Sequence, residues 1–284
     1  MKIKDILNRE RPALSFEVFP PKKESSYQTV ERAVHEIAEL KPAFMSVTYG
    51  AGGGTSRYTV DIASNLMQKY GVTAMVHLTC VSSGRDQIRI LTDQIKAEGI
   101  ENILALRGDI PEVPGKDYRY ASELIRELKA AGDFCIGGAC YPEGHPESPD
   151  RREDLRRLKE KVDAGCDFLT TQMFFDNDLF YYFLSEARKM GITVPILAGV
   201  MPLTNIRQLK RTLSLSGTHL PVRLQRMADR FGDRPEAMKQ AGIAYATEQI
   251  IDLLANGVHA VHIYTMNHPD VAAQIKRNLS GLAD

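Results

Sequence analysis

The sequence predicts an α/β fold, a (β/α)8 TIM barrel, in a single domain spanning residues 1–284. Three observations predict it. Eight short apolar runs alternate with longer stretches whose apolar residues recur at helical spacing. Several of those stretches end at a glycine, the residue suited to the left-handed backbone of a helix C-cap. No composition shift, low-complexity tract or charged linker divides the chain. The other α/β plan, a doubly wound open sheet, ordinarily carries Gly-x-Gly-x-x-Gly after its first strand. Here the first run ends in Pro20-Pro21, and that fingerprint occurs nowhere.

Taken in order, the first run covers 13–19. Leu14, Phe16 and Val18 fall on one face, Ser15, Glu17 and Phe19 on the other. A carboxylate in such a strand is costly to bury without a partner or a proton. A helix over 26–40 follows, with Val30, Ala33, Val34, Ile37, Ala38 and Leu40 at helical spacing, and then a run over 44–49. The glycine-rich stretch 50–56 lacks the lysine of a phosphate loop; it is either a permissive turn or a place where backbone approaches a ligand. A helix over 57–69 starts after the N-cap pair Thr55-Ser56, and a run over 73–80 follows. The helix 85–98 stops at Gly99 and leads to the run 102–106. Helices 121–131, 151–164 and 179–190 stop at Gly132, Gly165 and Gly191, with runs 134–141, 168–174 and 193–200 interleaved. Helical sequence over 204–215, 221–230 and 235–254 precedes the last run, 259–265, and a final helix, 269–282, opens on a proline.

Bulk properties exclude several classes. Hydrophobic residues make up 43% and charged residues 25%, as in ordinary globular proteins. Lys+Arg and Asp+Glu both count 36, so a nucleic acid or an anionic membrane is not the expected main partner. No apolar run is long enough to span a bilayer, and the start lacks a signal-peptide core, so a cytoplasmic location is expected. Cys80, Cys135, Cys140 and Cys166 form no Cys-x-x-Cys pair and no zinc spacing, which reads as reduced thiols without a metal site.

In this fold the site lies where strands end and βα loops begin. Strand one carries Glu17, strand two Ser46, Thr48 and Tyr49, and strand three His77 and Thr79. Strand four runs into Arg107-Gly108-Asp109, strand five into Tyr141 and His145, and strand six carries Thr170 and Gln172. Strand eight carries His262 and Tyr264, then Asn267-His268. By parity the polar residues share one face and Leu14/Phe16/Val18, Met45/Val47 and Ala74/Val76/Leu78 the other, so the polar set points into the barrel. Plainer roles exist for each: His77 as a hydrogen-bonded core histidine, Asp109 as the partner of Arg107, Tyr141 as packing. Arg157 and Lys161, four apart near a loop mouth, suit phosphate groups or a salt-bridged surface. There is no Gly-x-Ser-x-Gly and no His-Glu-x-x-His. What remains is a carboxyl acid or base on strand one with aspartate, amide and aromatic groups around it, suited to a planar, heteroaromatic, partly phosphorylated molecule.

The stretches from Ser15 to Lys22, Ser46 to Ala51, His77 to Cys80, Leu104 to Asp109, Tyr141 to Glu147, Lys161 to Gly165, Thr171 to Asp176, Gly199 to Pro202 and His262 to Asn267 resemble, together and in order, those of the methylenetetrahydrofolate reductases. The resemblance implies an FAD enzyme on a (β/α)8 barrel. It implies reduction of the flavin by NADH or NADPH, then of methylenetetrahydrofolate to methyltetrahydrofolate by the reduced flavin. Glu17 matches the general acid that helps open the five-membered ring; burial would raise its pKa and help it hold a proton. Asp109 matches the aspartate beside flavin and pterin, where negative charge favours a cationic iminium. Substrate contacts are implied for Glu17, Asp109, Gln172, Gln208 and His268. Cofactor contacts are implied for Thr48, Tyr49, His77, Arg107, Gly108, Asp109, Tyr120, Ala121, Ala139, Tyr141, His145, Asp154, Arg157 and Lys161. Four positions depart from common members: His268 stands in place of an arginine, Arg157 and Glu160 in place of an asparagine and an arginine, and Thr212 in place of an aromatic. The family implies a homo-oligomer. The alternative is a flavin- and folate-binding subunit that takes electrons from a partner protein. A flavin-free aldolase-type barrel would need a Schiff-base lysine on a strand, and none of the eight runs supplies one clearly.

Overall fold

Eight parallel strands pair in chain order and the last closes on the first. They are β1 (Ala13–Val18), β2 (Met45–Val47), β3 (Ala74–Thr79), β4 (Asn102–Leu106), β5 (Cys135–Cys140), β6 (Phe168–Thr171), β7 (Ile196–Val200) and β8 (Ala260–Tyr264). This computed structural model describes residues 1–49, 56–110 and 117–282. The glycine-rich stretch 50–55, with Thr55 of the expected N-cap pair, lies outside them. Each expected strand forms, most of them shorter than the apolar run. The ladder of β7 begins after Pro195, which has no N–H to donate, so the run 193–200 contributes only its second part. Thr48 and Gln172 fall just past β2 and β6, yet their N–H groups still donate to Val18 and Cys140 carbonyls at 3.0 and 2.7 Å, extending each strand by one bond.

Helices α1 (Ile3–Leu7), α2 (Tyr27–Ala38), α3 (Ser56–Tyr70), α4 (Arg85–Ala97), α5 (Ala121–Ala131), α6 (Arg151–Asp163), α7 (Asn177–Lys189), α8 (Ile206–Ser216), α9 (Val222–Phe231), α10 (Pro235–Ala255) and α11 (Pro269–Asn278) complete the described elements, with a 3-10 turn at Glu24–Ser26. Side chains start several of them. Asp150, Asp176 and Asn205 accept hydrogen bonds from N–H groups of the first turns of α6, α7 and α8, which have no partner within the helix. Pro235 and Pro269 open α10 and α11, where a missing N–H costs nothing.

The expected parity holds. Leu14, Phe16, Val18, Met45, Val47, Ala74, Val76 and Leu78 are buried in the large apolar layer between barrel and helices. The opposite faces line the lumen, which is filled at its base. Ala13, Phe44, Met75, Leu104, Cys135, Phe168, Leu197 and Ala260 meet there with Ile3 and Ile6 of α1. Gly137 leaves the space that the Phe168 ring takes; a Cβ there would lie 2.5 Å from it.

The floor helix α1 is too short to be stable by itself. It is held by burial of Ile3 and Ile6, worth roughly 1.5–3 kcal/mol per side chain, and by polar ties. Ile3 N–H donates to Asn102 Oδ1 at 2.8 Å, and the amide of Asn102 donates in turn to Ala74 and Met1 carbonyls. Asp167 accepts from Lys4 at 3.3 Å, Lys129 at 2.7 Å and Ile136 N–H at 2.8 Å, joining α1, α5 and β5. The four cysteines are free and buried. Among the described residues, no helix is long and apolar enough to cross a membrane.

Candidate active site

Above the apolar floor the lumen turns polar. His262 of β8 takes a hydrogen bond with Ser15 of β1 at 2.7 Å and another with Ser46 of β2 at 2.9 Å. Its ring stacks on Phe44, with centroids 5.6 Å apart. Ser15 Oγ donates to the Val261 carbonyl, so the imidazole Nδ1–H is the donor to Ser15 and Nε2 accepts from Ser46. Burial lowers the His262 pKa to about 3 and keeps the ring neutral. Parity set these residues on the lumen face, but gave no sign of their bonds to one another, which join partners more than 200 residues apart.

The next layer up holds Glu17 and His77. Both are almost fully buried, with Glu17 Oε2 3.6 Å from His77 Nε2. Desolvation pushes the Glu17 carboxyl up to about 8 and the His77 imidazole down to about 3. At neutral pH both side chains are therefore uncharged, with the proton on the carboxyl. His77 Nε2 is sealed from solvent without a hydrogen-bond partner, as is Thr170 Oγ1 on β6. Buried polar atoms left in this state are costly, and each of these two is in want of a partner. Tyr264, next to Glu17 in the β1–β8 register, donates its hydroxyl to the Thr171 carbonyl. The room for that ring comes from Gly199, where a Cβ would lie 2.4 Å from Tyr264 Oη and 2.5 Å from Thr171 O.

A second group collects at the rim over β4, β5 and the starts of α5 and α6. Arg107 makes a two-pronged bond to Glu147 at 2.6 and 2.7 Å. Glu147 is a partner that residue-by-residue reading missed, although it lies in the stretch following β5. Gly108 has φ +86, and a Cβ there would press on Thr79 at 3.0 Å, so glycine suits this turn twice over. Tyr141 and His145 pack edge to face with centroids 4.6 Å apart, and His145 Nδ1 accepts from the Glu147 N–H. Burial pushes the Tyr141 phenol up to about 12 and lowers His145. Lys161 runs beneath this rim, its ammonium donating to the Ala139 carbonyl; desolvation lowers its pKa. Asp154 accepts from Ser148 at 3.2 Å. Arg157 pairs with Glu153 at 2.8 Å and lies 5.7 Å from the ring centre of Tyr120, the N-cap of α5, beside buried Ala121. Glu160 turns to Arg156. Asp109 is exposed just past β4.

The remaining predicted residues are more scattered. Thr48 is half-buried, its carbonyl accepting from Thr59, and Tyr49 packs against the outer apolar layer. Gln172 is half-buried and accepts from the Met173 N–H at 3.0 Å. Gln208, in the first turn of α8, accepts from the Thr204 N–H at 3.1 Å. His268 is exposed at the N-cap of α11. Thr212 is buried and donates to Met201 Sδ at 3.5 Å, inside a satellite cluster with Met173, Leu209 and Met238 nearby.

The model of one family, methylenetetrahydrofolate reductase, matches residues 2–280. The 5,10-methylenetetrahydrofolate reductase of Pectobacterium carotovorum subsp. carotovorum is 36% identical over 94% of this chain and 89% of its own. The methylenetetrahydrofolate reductase (NADH) 1 of Arabidopsis thaliana is also 36% identical, over all of this chain and half of its own length. Among solved structures, an uncharacterized protein from Clostridium thermocellum that binds two copies of 5-methyl-5,6,7,8-tetrahydrofolic acid superposes with a TM-score of 0.68. It shares 15% identity over 99% of this chain and all of that one, a likeness of fold. On the family match and the extent of these identities, the chain belongs to the methylenetetrahydrofolate reductase family and is an enzyme of methylenetetrahydrofolate reduction.

Proposed function

We propose that the mouth of the barrel, at the C-terminal ends of the strands, binds FAD and that electrons pass from a nicotinamide nucleotide to methylenetetrahydrofolate there. The residues present fit such a group. Arg107, Arg157 and Lys161 supply positive charge for a pyrophosphate, and Tyr120, Tyr141 and His145 supply ring faces. Gly108 lets backbone come close, and the orphaned His77 Nε2 and Thr170 Oγ1 are polar atoms in want of a partner. Bound FAD would supply the hydride chemistry, accepting from the nicotinamide and giving to the one-carbon unit. The plant relative is named for NADH, which supports a nicotinamide donor. The folate-binding barrel from C. thermocellum supports folate at this fold.

The protein's own part is proton control. Glu17 enters the cycle as the neutral acid and delivers its proton to the folate nitrogen, opening the five-membered ring and leaving a cationic iminium carbon to be reduced. Asp109 supplies negative charge that favours this cation, and Gln172, Gln208 and His268 are the proposed contacts along the folate. The observation that carries this reading is the burial of the Glu17 carboxyl in the lumen, 3.6 Å from the equally buried His77.

Anaerobic mixing of the purified flavoprotein with NADH or NADPH tests the donor: bleaching of the flavin is expected. A flavin that neither nucleotide bleaches, but a partner protein does, would replace this reading with that of an electron-transfer subunit. Glu17→Gln should retain FAD and its reduction but lose folate turnover; normal turnover in that variant would remove Glu17 as the acid.

A further inference from the structure

Strand β1 does not secure its own tip. The pairing ends at Val18 with β2 and at Glu17 with β8, and Pro20-Pro21 cannot donate to extend either ladder. Residues following β8 hold the tip instead. Thr265 Oγ1 donates to the Glu17 carbonyl at 2.6 Å. The Asn267 side chain accepts from the Phe19 N–H at 2.8 Å and donates to the Phe19 carbonyl at 2.9 Å, standing in for a strand residue. The two are linked, because Asn267 N–H donates to Thr265 Oγ1 at 3.2 Å. To turn the amide back onto β1, both Met266 and Asn267 take left-handed backbone, with φ +53 and +57. Two consecutive non-glycine residues in that region are unusual, and such strain gathers where a site needs it.

We propose that Asn267, together with Thr265, is a positioning element for proton delivery: it fixes the backbone on both sides of Val18 and so sets where the Glu17 carboxyl stands in the lumen. The inference rests on the reading of Glu17 as the proton donor. Asn267 touches main chain on the far side of the acid and acts only through it. Its removal frees the tip to shift, and a displacement of about an ångström at a reacting group costs up to roughly a hundredfold in rate.

The test uses flavin-loaded enzyme, reduced photochemically and mixed anaerobically with methylenetetrahydrofolate. Asn267→Ala, Glu17→Gln and the double variant are compared with the native protein, with flavin reduction by nicotinamide and thermal midpoints measured alongside. Asn267→Ala is expected to lower kcat for the folate step about ten- to a hundredfold, with KM and the rate of flavin reduction within about twofold. On the slow residual folate step of Glu17→Gln, followed over long single turnovers, the same change should add less than about twofold, because residues acting as one unit are not additive. Thr265→Val, which deletes one hydroxyl from a buried residue, should give a smaller loss with the same pattern, and carries the test if Asn267→Ala fails to fold. Equal losses in both backgrounds, or parallel losses in both half-reactions with a lowered midpoint, would overturn the proposal. A Glu17→Gln enzyme with normal folate turnover would instead overturn the reading of Glu17 itself.

Discussion

Stability against pH reports directly on the state of Glu17. The carboxyl ordinarily titrates at 4.5 and is held up at about 8 by burial, with 7% of the residue exposed. Between those values the folded chain keeps a proton that the unfolded chain has released. Stability from this group is therefore complete below 4.5 and falls as pH rises through about 8. At about 1.4 kcal/mol per tenfold change in proton affinity, the full effect reaches roughly 4–5 kcal/mol, a large share of the 5–15 kcal/mol that typically holds a domain folded. Glu17→Gln keeps the shape of the side chain but has no proton to lose. Urea unfolding of native and variant protein, without added flavin, at pH 5, 7 and 9 isolates the difference. The histidines titrate in both proteins and cancel in the comparison. The variant should gain on the native protein by several kcal/mol from pH 5 to pH 9. Curves that run parallel across this range would refute a buried neutral carboxyl, and with it the acid poised for donation.

Three further outcomes follow from the same geometry. His77 and His262, both held at about 3 against an ordinary 6.5, resist protonation in the fold, so stability present above 6.5 should be lost as pH falls toward 3; acid titration by far-UV circular dichroism should show cooperative unfolding in that window. Gly199→Ala sets a methyl against Tyr264 Oη and the Thr171 carbonyl, and should cost about 2 kcal/mol or more in urea unfolding while lowering folate turnover. Asp167→Ala strands the Lys4 and Lys129 ammonium groups and the Ile136 N–H; a loss of about 2–3 kcal/mol is expected, with faster amide exchange across residues 3–7.

Alternation made the barrel legible. Glu17, Ser46, His77 and Thr170 could be assigned to the lumen because a period of two leaves only two faces, and the apolar residues claimed one of them. Helix ends were readable where a glycine or a proline marked them, as at left-handed Gly165 after α6 and Pro235 opening α10. What composition hid was long-range. The helix α1 offers five residues, too few to display a period, and forms because Ile3 and Ile6 fill a hole made by strands from the whole chain. The bonds of His262 to Ser15 and Ser46, and of Asn267 to Phe19, join the two ends of the sequence, where no local pattern records them. Arg107 announced a charge, but only the folded loop after β5 showed that Glu147 takes it in two prongs.

The sealed floor has a consequence for how the acid is reloaded. Ile3, Ile6, Phe44, Met75 and Phe168 close the lumen below, and the polar layer above them hands its hydrogen bonds from Ser46 through His262 and Ser15 to the Val261 carbonyl, where a donor chain stops. On the proposed role of Glu17, the packed floor points to the mouth as the route by which its proton returns. A carboxyl that has spent its proton must be refilled through the same opening that admits and releases the reactants. On that reading reloading would be tied to product departure, each turnover beginning with a fresh proton once the previous guest has left the doorway.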